Sequence, residues 1–351
     1  MTHKTFKAFL VSKTDDHLFT RSVVEQLVDD LPQGDVLIQV HYSSLNYKDA
    51  LSATGHPGVT KKFPHVPGID AAGTVVNSTV PQFQQDEPVI VTGFDLGMNT
   101  WGGFAEYIRV PADWVVPLPS GLSLQESMIF GTAGFTAALC VQALEQNDIT
   151  PSSGEVLVTG ATGGVGSVAV SILSKLGYSV VAATGKSSHH EFLRSLGATS
   201  IVDRAEIEDQ TSKPLLKERW AGAVDTVGGN TLATVIKATK YDGCVTACGL
   251  VGGAELATTV YPFILRGVRL IGIDSVQCPR QKRLSIWKKL ASDWKPPHLD
   301  EVASTINLSQ LPEQIDTILQ GRSVGRVLVS LLEIYSNRSR RLGRWRVRPN
   351  P

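Results

Sequence analysis

Long uninterrupted apolar segments are missing from this sequence, and no run reaches the roughly 18–20 residues that a membrane-crossing helix needs. Met1 to Leu10 lack the charged, apolar and small-residue stretches of a secretory signal. A cytoplasmic protein with no membrane partner is the default expectation. Cysteine is scarce: Cys140, Cys244, Cys248 and Cys278 are the four present, and Cys244 and Cys248 alone lie close together. A zinc knuckle needs a second closely spaced pair, so these read as buried thiols of a reducing compartment. Net charge is also absent, with 33 basic residues against 33 acidic ones, although the balance is uneven. Beyond Ser330, Arg338, Arg340, Arg341, Arg344, Arg346 and Arg348 face the single Glu333. A basic arm can bind nucleic acid. This one follows a complete final strand and has neither heptads nor a helical apolar stripe. It reads as an extension without function, and no nucleic-acid partner is expected.

What is present is a globular composition, 42% hydrophobic and 19% charged, in a chain of 351 residues, long enough for two domains. The first third carries β signals at Val36–Tyr42, Thr74–Val76, Pro88–Val91 and Phe104–Val110, punctuated by glycine and proline. Short strands with frequent turns predict a barrel-like β domain. From Ser123 the pattern changes. A helix is expected over Leu124–Glu145, interrupted around Gly131–Gly134. Strands at Glu155–Thr159, Ser179–Ala183, Ser200–Val202, Gly222–Asp225, Gly243–Ala247 and Leu270–Ile273 follow, with helices at Val165–Leu176 and His189–Leu196. Apolar strands alternating with amphipathic helices predict an α/β, doubly wound parallel sheet. Leu311–Leu331 reads as a helix and strand returning to the first domain.

The strongest local signal is Gly160-Ala161-Thr162-Gly163-Gly164-Val165-Gly166-Ser167, placed after a buried strand and at the start of a helix. That context makes it a dinucleotide fingerprint. Gly160 allows the tight turn, Gly163 and Gly164 admit the pyrophosphate, and Gly166 lets the helix pack on the strand. An NAD site would place an acid at the end of the next strand, about 20 residues on. Here Thr184-Gly185-Lys186 stands instead, with Arg204 after the third strand. Cations there suit the 2′-phosphate, so NADPH is the expected cofactor.

With those residues in view, the chain resembles the medium-chain dehydrogenase/reductase superfamily. Trp101–Tyr107, Asp225–Gly229 and Cys248–Gly253 carry the likeness. Ser43–Ala50, Pro67–Asp70 and Pro262–Val268 resemble, more narrowly, its zinc-independent acrylyl-CoA reductase branch of YhdH-type, quinone-oxidoreductase-like proteins. The resemblance implies a GroES-like β-barrel catalytic domain over 1–125 and a Rossmann domain over 126–300. It also implies a return segment over 301–331, with 332–351 as the basic tail. The superfamily's alcohol dehydrogenases bind zinc through Cys, His and Cys. The matching positions here are Asn46, Ile69 and Ile129, which are not zinc ligands. Hydride must then go to an already electrophilic carbon. The resemblance implies acrylyl-CoA to propionyl-CoA. Reduction of a quinone or enone, and a non-catalytic NADPH-binding protein, are the alternatives.

By the same resemblance Tyr47, Asn46 and Asp49 are the catalytic candidates, with Tyr47 beside the nicotinamide. Each has a bland alternative: a packing tyrosine, a loop-ordering Asn, and an Asp that caps a helix. Thr136, Leu250, Val251, Ser275 and Arg326 are expected around the cofactor, Arg326 as the family's terminal Gly-Arg. His41, His56 and His65 read as surface or satisfied histidines. Lys61 and Lys62 read as a solvated loop or as partners of coenzyme A phosphates. A homodimer is implied by the resemblance alone.

Overall fold

Residues 4–332 are described by the computed structural model, so every arginine of the basic tail lies outside the described residues. The chain opens on a hairpin of β1 (Thr5–Lys13) and β2 (Phe19–Leu27), paired antiparallel. It continues through β3 (Val36–Leu45), α1 (Tyr47–Ala53), β4 (Asp70–Ser78), β5 (Pro88–Thr92), β6 (Tyr107–Val110) and β7 (Val115–Pro117). α2 (Leu124–Glu145) leads into β8 (Val156–Val158), α3 (Gly164–Lys175), β9 (Val180–Thr184), α4 (His190–Ser195) and β10 (Ser200–Asp203). Next come β11 (Trp220–Asp225), α5 (Gly229–Ala238), β12 (Thr239–Ala247), α6 (Tyr261–Arg266), β13 (Arg269–Gly272) and α7 (Arg280–Leu290). β14 (Ala303–Asn307), α8 (Leu311–Leu319) and β15 (Arg326–Ser330) complete the order.

Six parallel strands form one sheet in the order β10-β9-β8-β11-β12-β13. β8 has no exposed face: Val156 and Val158 enter the core that α2 and α3 share, and Leu157 enters the one lined by α5. Helices on both sides of a parallel sheet require such a strand to be apolar throughout. The other large sheet runs β14-β15-β3-β4-β5-β7, with β6 against β3. Its strands alternate, as where Val36, Ile38 and Val40 of β3 are buried and Gln39 is exposed. β15 pairs antiparallel with β3, placing Leu328 opposite Ser44. The chain therefore returns to its first domain after completing the second.

α2 lies between these units, packed on β3, β4 and α3. Its 22 residues are long and apolar enough to cross a membrane by length and composition, which corrects the expectation that no such segment exists. In the fold, 94% of its apolar window is buried, so it is a core helix. The expected interruption is a kink at Gly131, with φ 49° and ψ −156°, a region that is essentially glycine's. A Cβ there would stand 2.5 Å from Asp70 Oδ2 and 2.8 Å from Arg326 Nη2.

Candidate active site

At the end of β8 the chain turns into α3 across the glycine cluster. Thr159 Oγ1 donates to Asp225 Oδ1 at 2.8 Å, and Thr226 Oγ1 donates to Thr159 O at 2.9 Å. These bonds tie the C-terminal ends of β8 and β11, where strand order reverses and ligands of open parallel sheets gather. Gly160 takes φ +56°, and its missing side chain would run into Thr226. A Cβ on Gly166 would strike Gly160 O, so the helix packs directly on the turn. Gly163 is the N-cap of α3, and no side chain caps that end. The first N–H groups of α3 are thus available to a phosphate. Val165 is half-buried behind Gly164, and Ser167 Oγ donates to Gly164 O at 3.3 Å.

The far end of this crevice is cationic. Thr184 closes β9 beside Asp203 of β10, and Lys186 N–H donates to Thr184 Oγ1 at 3.1 Å. Lys186 Nζ donates to Ser323 O at 2.7 Å, and burial lowers its pKa. The Arg204 guanidinium lies within 3.5–3.7 Å of where a Cβ on Gly185 would sit. It also pairs with Glu208 at 3.6 Å. Asp203, the register partner of Thr184 on β10, is spent as an N-cap, accepting from Ala205 N–H at 2.9 Å. The cradle of missing side chains and the two cations fit NADPH.

The second half of the site is a buried polar network. Asp70 is fully buried, and its carboxylate accepts from Ser44 Oγ at 2.6 Å, Asn46 Nδ2 at 2.7 Å and Thr132 Oγ1 at 2.6 Å. Thr132 N–H reaches both of its oxygens, at 3.0 and 2.9 Å. Arg326 Nη2 stands 3.8 Å from Asp70 Oδ2 and donates to Ser44 Oγ at 2.8 Å. Its other nitrogens reach Ile129 O, Leu45 O and Asn46 Oδ1. Burial lowers the arginine's pKa, while Asp70 and Asp49 hold it up.

Several sequence expectations need correction against this geometry. Asp49 is not a helix N-cap. Asn46 is the N-cap of α1, and Asp49 at N3 completes a capping box with it. The Asp49 carboxylate is fully buried and accepts from Asn46, Gly68 and Ile69 backbone N–H groups. It holds Asn46 through that residue's backbone N–H and side-chain amide. Arg326 is 3% exposed and spends its donors on protein groups, so it braces the wall behind Gly164 instead of reaching into open space. Thr136 is buried, its hydroxyl donating back to Thr132 O at 2.6 Å. His65 is not at the surface and only half satisfied: it is buried, with a hydrogen bond to the Gly97 backbone and Nε2 without a partner among the described residues.

Other candidates are more exposed or sit on loops. Tyr47 opens α1 and is 42% exposed, its hydroxyl without a hydrogen-bond partner among the described residues. Leu250 and Val251 are exposed on the loop after β12, and Leu250 packs over Gly228. Ser275 follows β13 at the domain junction, its carbonyl accepting from Arg283. Arg283 was missed in the sequence. It is 1% exposed, donates to Thr92 O, Ser275 O and Val276 O, and lies over the Phe94 and Phe135 rings. It locks the β domain to the loop that follows β13.

Comparison with known proteins matches residues 32–120 to the alcohol dehydrogenase GroES-like domain and residues 164–292 to the zinc-binding dehydrogenase family. An acrylyl-CoA reductase, AcuI, from Ruegeria pomeroyi is 48% identical over 327 residues, covering 93% of this chain and 99% of that protein. The chain belongs to the medium-chain dehydrogenase/reductase family. The YhdH oxidoreductase from Salmonella enterica, crystallised with NADP, superposes with a TM-score of 0.90 at 49% identity, over 92% of this chain and 99% of that one. Bacillus subtilis YhfP with NAD bound gives 0.91 at 47% identity, over 93% of this chain and 99% of that one. Zinc in the family description does not suit this member. Asn46 is held by carboxylates and Arg326, Ile69 and Ile129 are buried aliphatics, and no cluster of three or more His, Cys, Asp or Glu could hold a metal among the described residues.

Two expectations follow from this geometry. Burial first, and then the charge of Asp70, push the Asp49 carboxyl up to about 7 against the backbone N–H bonds that favour its charge. Between the ordinary carboxylate range and that value the folded chain keeps a proton that the unfolded chain has lost. Stability therefore falls as pH rises through this window and levels off above it. Urea midpoints at pH 5 and pH 8 should show this loss in the wild type and a smaller one in Asp49→Asn; equal losses would contradict it. Lys186→Glu should raise the KM for NADPH at least about tenfold, the equivalent of ~1.4 kcal/mol. Steady-state kinetics with both nucleotides measures it, and an unchanged NADPH-to-NADH preference would mean that Lys186 does not meet the 2′-phosphate.

Proposed function

We propose that this chain is an NADPH-dependent reductase that delivers hydride to the β-carbon of an enoyl thioester, converting acrylyl-CoA to propionyl-CoA. One observation carries the reading. An intact dinucleotide crevice with Lys186 and Arg204 at its far end adjoins a cleft whose metal-ligand positions are Asn46, Ile69 and Ile129. NADPH, when bound, supplies the hydride. Lacking Lewis-acid ligands, the cleft must receive a carbon that is already electrophilic, with a carbonyl to take up the developing negative charge. Tyr47, half-exposed at the start of α1 and next to Asn46, is the group we place at the mouth of this cleft. We assign its free hydroxyl the delivery of a proton to the reduced acyl group. Asn46, fixed by Asp70, Asp49 and Arg326, sets where Tyr47 begins.

We further assign a second copy of the chain to the outer edge of β13. It is the last strand of the parallel sheet, and the nearby Val260, Tyr261, Ile264 and Leu265 are exposed. An open strand edge beside a cluster of apolar side chains is a pairing surface. The cytoplasm is the compartment we assign.

Initial rates of NADPH oxidation with acrylyl-CoA and with a simple benzoquinone at equal concentration test the substrate. The thioester should turn over faster. Faster turnover of the quinone would replace the reading with a quinone reductase, and tight NADPH binding with no turnover of either would leave a binding protein.

A further inference from the structure

α1 carries Tyr47 at its N-terminal end, and its seven residues span about 10 Å. Its C-terminal end runs into the Gly55–Phe63 loop, which faces the β1–β2 turn across a groove of about 900 Å³. Lys13, Lys61, Lys62 and His17 line this groove, and Asp15 is the one acid among the lining residues. Lys13, Lys61 and Lys62 are exposed, and none of the three has a carboxylate partner among the described residues. Here three lysines line one groove against the single carboxylate of Asp15, an excess of positive charge that leaves a local field for an anion.

The floor is aromatic and fixed. Phe19 and Phe63 meet edge to face with centroids 4.9 Å apart. Gly55, at φ +76°, has its absent side chain's space filled by the Phe19 ring. The lysine loop is anchored: Thr60 and Ser52 hydroxyls share a bond of 2.6 Å, and Lys61 N–H donates to Asn99 Oδ1 at 3.3 Å. An apolar aromatic floor with a cationic rim suits a ligand that is itself a flat base joined to phosphates. An extended pantetheine arm is longer than α1, so a thioester at Tyr47 can trail its nucleotide end to this groove.

We propose that the groove binds the phosphorylated adenosine end of a coenzyme A thioester, a placement that rests on the acyl-CoA reading above. Lysine, a compact charge on a flexible stem, meets phosphate without needing a fixed fork geometry. Electrostatic attraction holds the nucleotide end while the acyl group enters the cleft.

The test uses the NADPH-saturated protein and the double variant Lys61→Glu/Lys62→Glu, two exposed positions outside both cores. KM for acrylyl-CoA should rise at least about tenfold, far more than kcat changes. KM for acrylyl-pantetheine, which lacks the nucleotide, should stay at the wild-type value. Calorimetry should find coenzyme A bound to the wild type and weakened in the variant, with inorganic phosphate a poor competitor. An unchanged KM for acrylyl-CoA in the double variant overturns the proposal while leaving the reductase reading intact. Phosphate competing as well as coenzyme A also overturns it, leaving a general anion patch. If the wild type fails to reduce acrylyl-CoA yet loses coenzyme A binding in the variant, the groove stands and the activity reading falls.

Discussion

A fully buried carboxylate must be answered, and in this chain Asp70 is answered by four residues from four parts of the fold. Ser44 comes from β3, Asn46 from the cap of α1, Thr132 from α2 just past its kink, and Arg326 from the start of β15, all around an acid on β4. Burying a carboxylate and a guanidinium costs several kcal/mol for each ion unless partners are close and well aligned. The site geometry follows from meeting that requirement. α2 needs the Gly131 kink so that Thr132 N–H can turn onto Asp70. The last strand must return to β3 to bring Arg326 into place. Asn46, held from three sides, fixes the entry of α1 and so the position of Tyr47.

The two sheets divide the chemistry. The parallel sheet offers phosphate recognition at the ends of β8, β9 and β10, through glycine backbone and two cations. In the proposed reading the β domain supplies the acceptor side, with Tyr47 at one end of α1 and a lysine-rimmed groove at the other. Arg283 and Arg326 are the fasteners between them, each buried and each bonded to carbonyls from both domains. Placing positive charge in the seam lets backbone carbonyls from separate elements converge without repulsion.

How far the sequence could be read depended on how local each signal was. The glycine cluster lies at one strand-to-helix junction, and Lys186 and Arg204 closely follow the next two strands, so the sequence places them from spacing alone. The Asp70 network was not, because its members are drawn together only by the fold. Arg283 sits in Arg280–Leu290, a helix with several basic residues and no local motif to single one out, yet it lies buried against the Phe94 and Phe135 rings. The β1–β2 hairpin was also missed: most of β2 is half-exposed or exposed, so its alternation is weak. Asp49 and Arg326 are expected at the site from the sequence, but their burial and their bonds to protein groups were not legible there, because their partners come from distant parts of the chain.

The central claim is that Asp70 and Arg326 act as one unit in shaping the cleft. A double-mutant cycle on NADPH-dependent turnover, with Asp70→Asn, Arg326→Gln and the pair combined in folded protein, tests it most directly. Strong non-additivity is predicted, with the double variant no worse than the poorer single one. Losses that simply add would contradict the account.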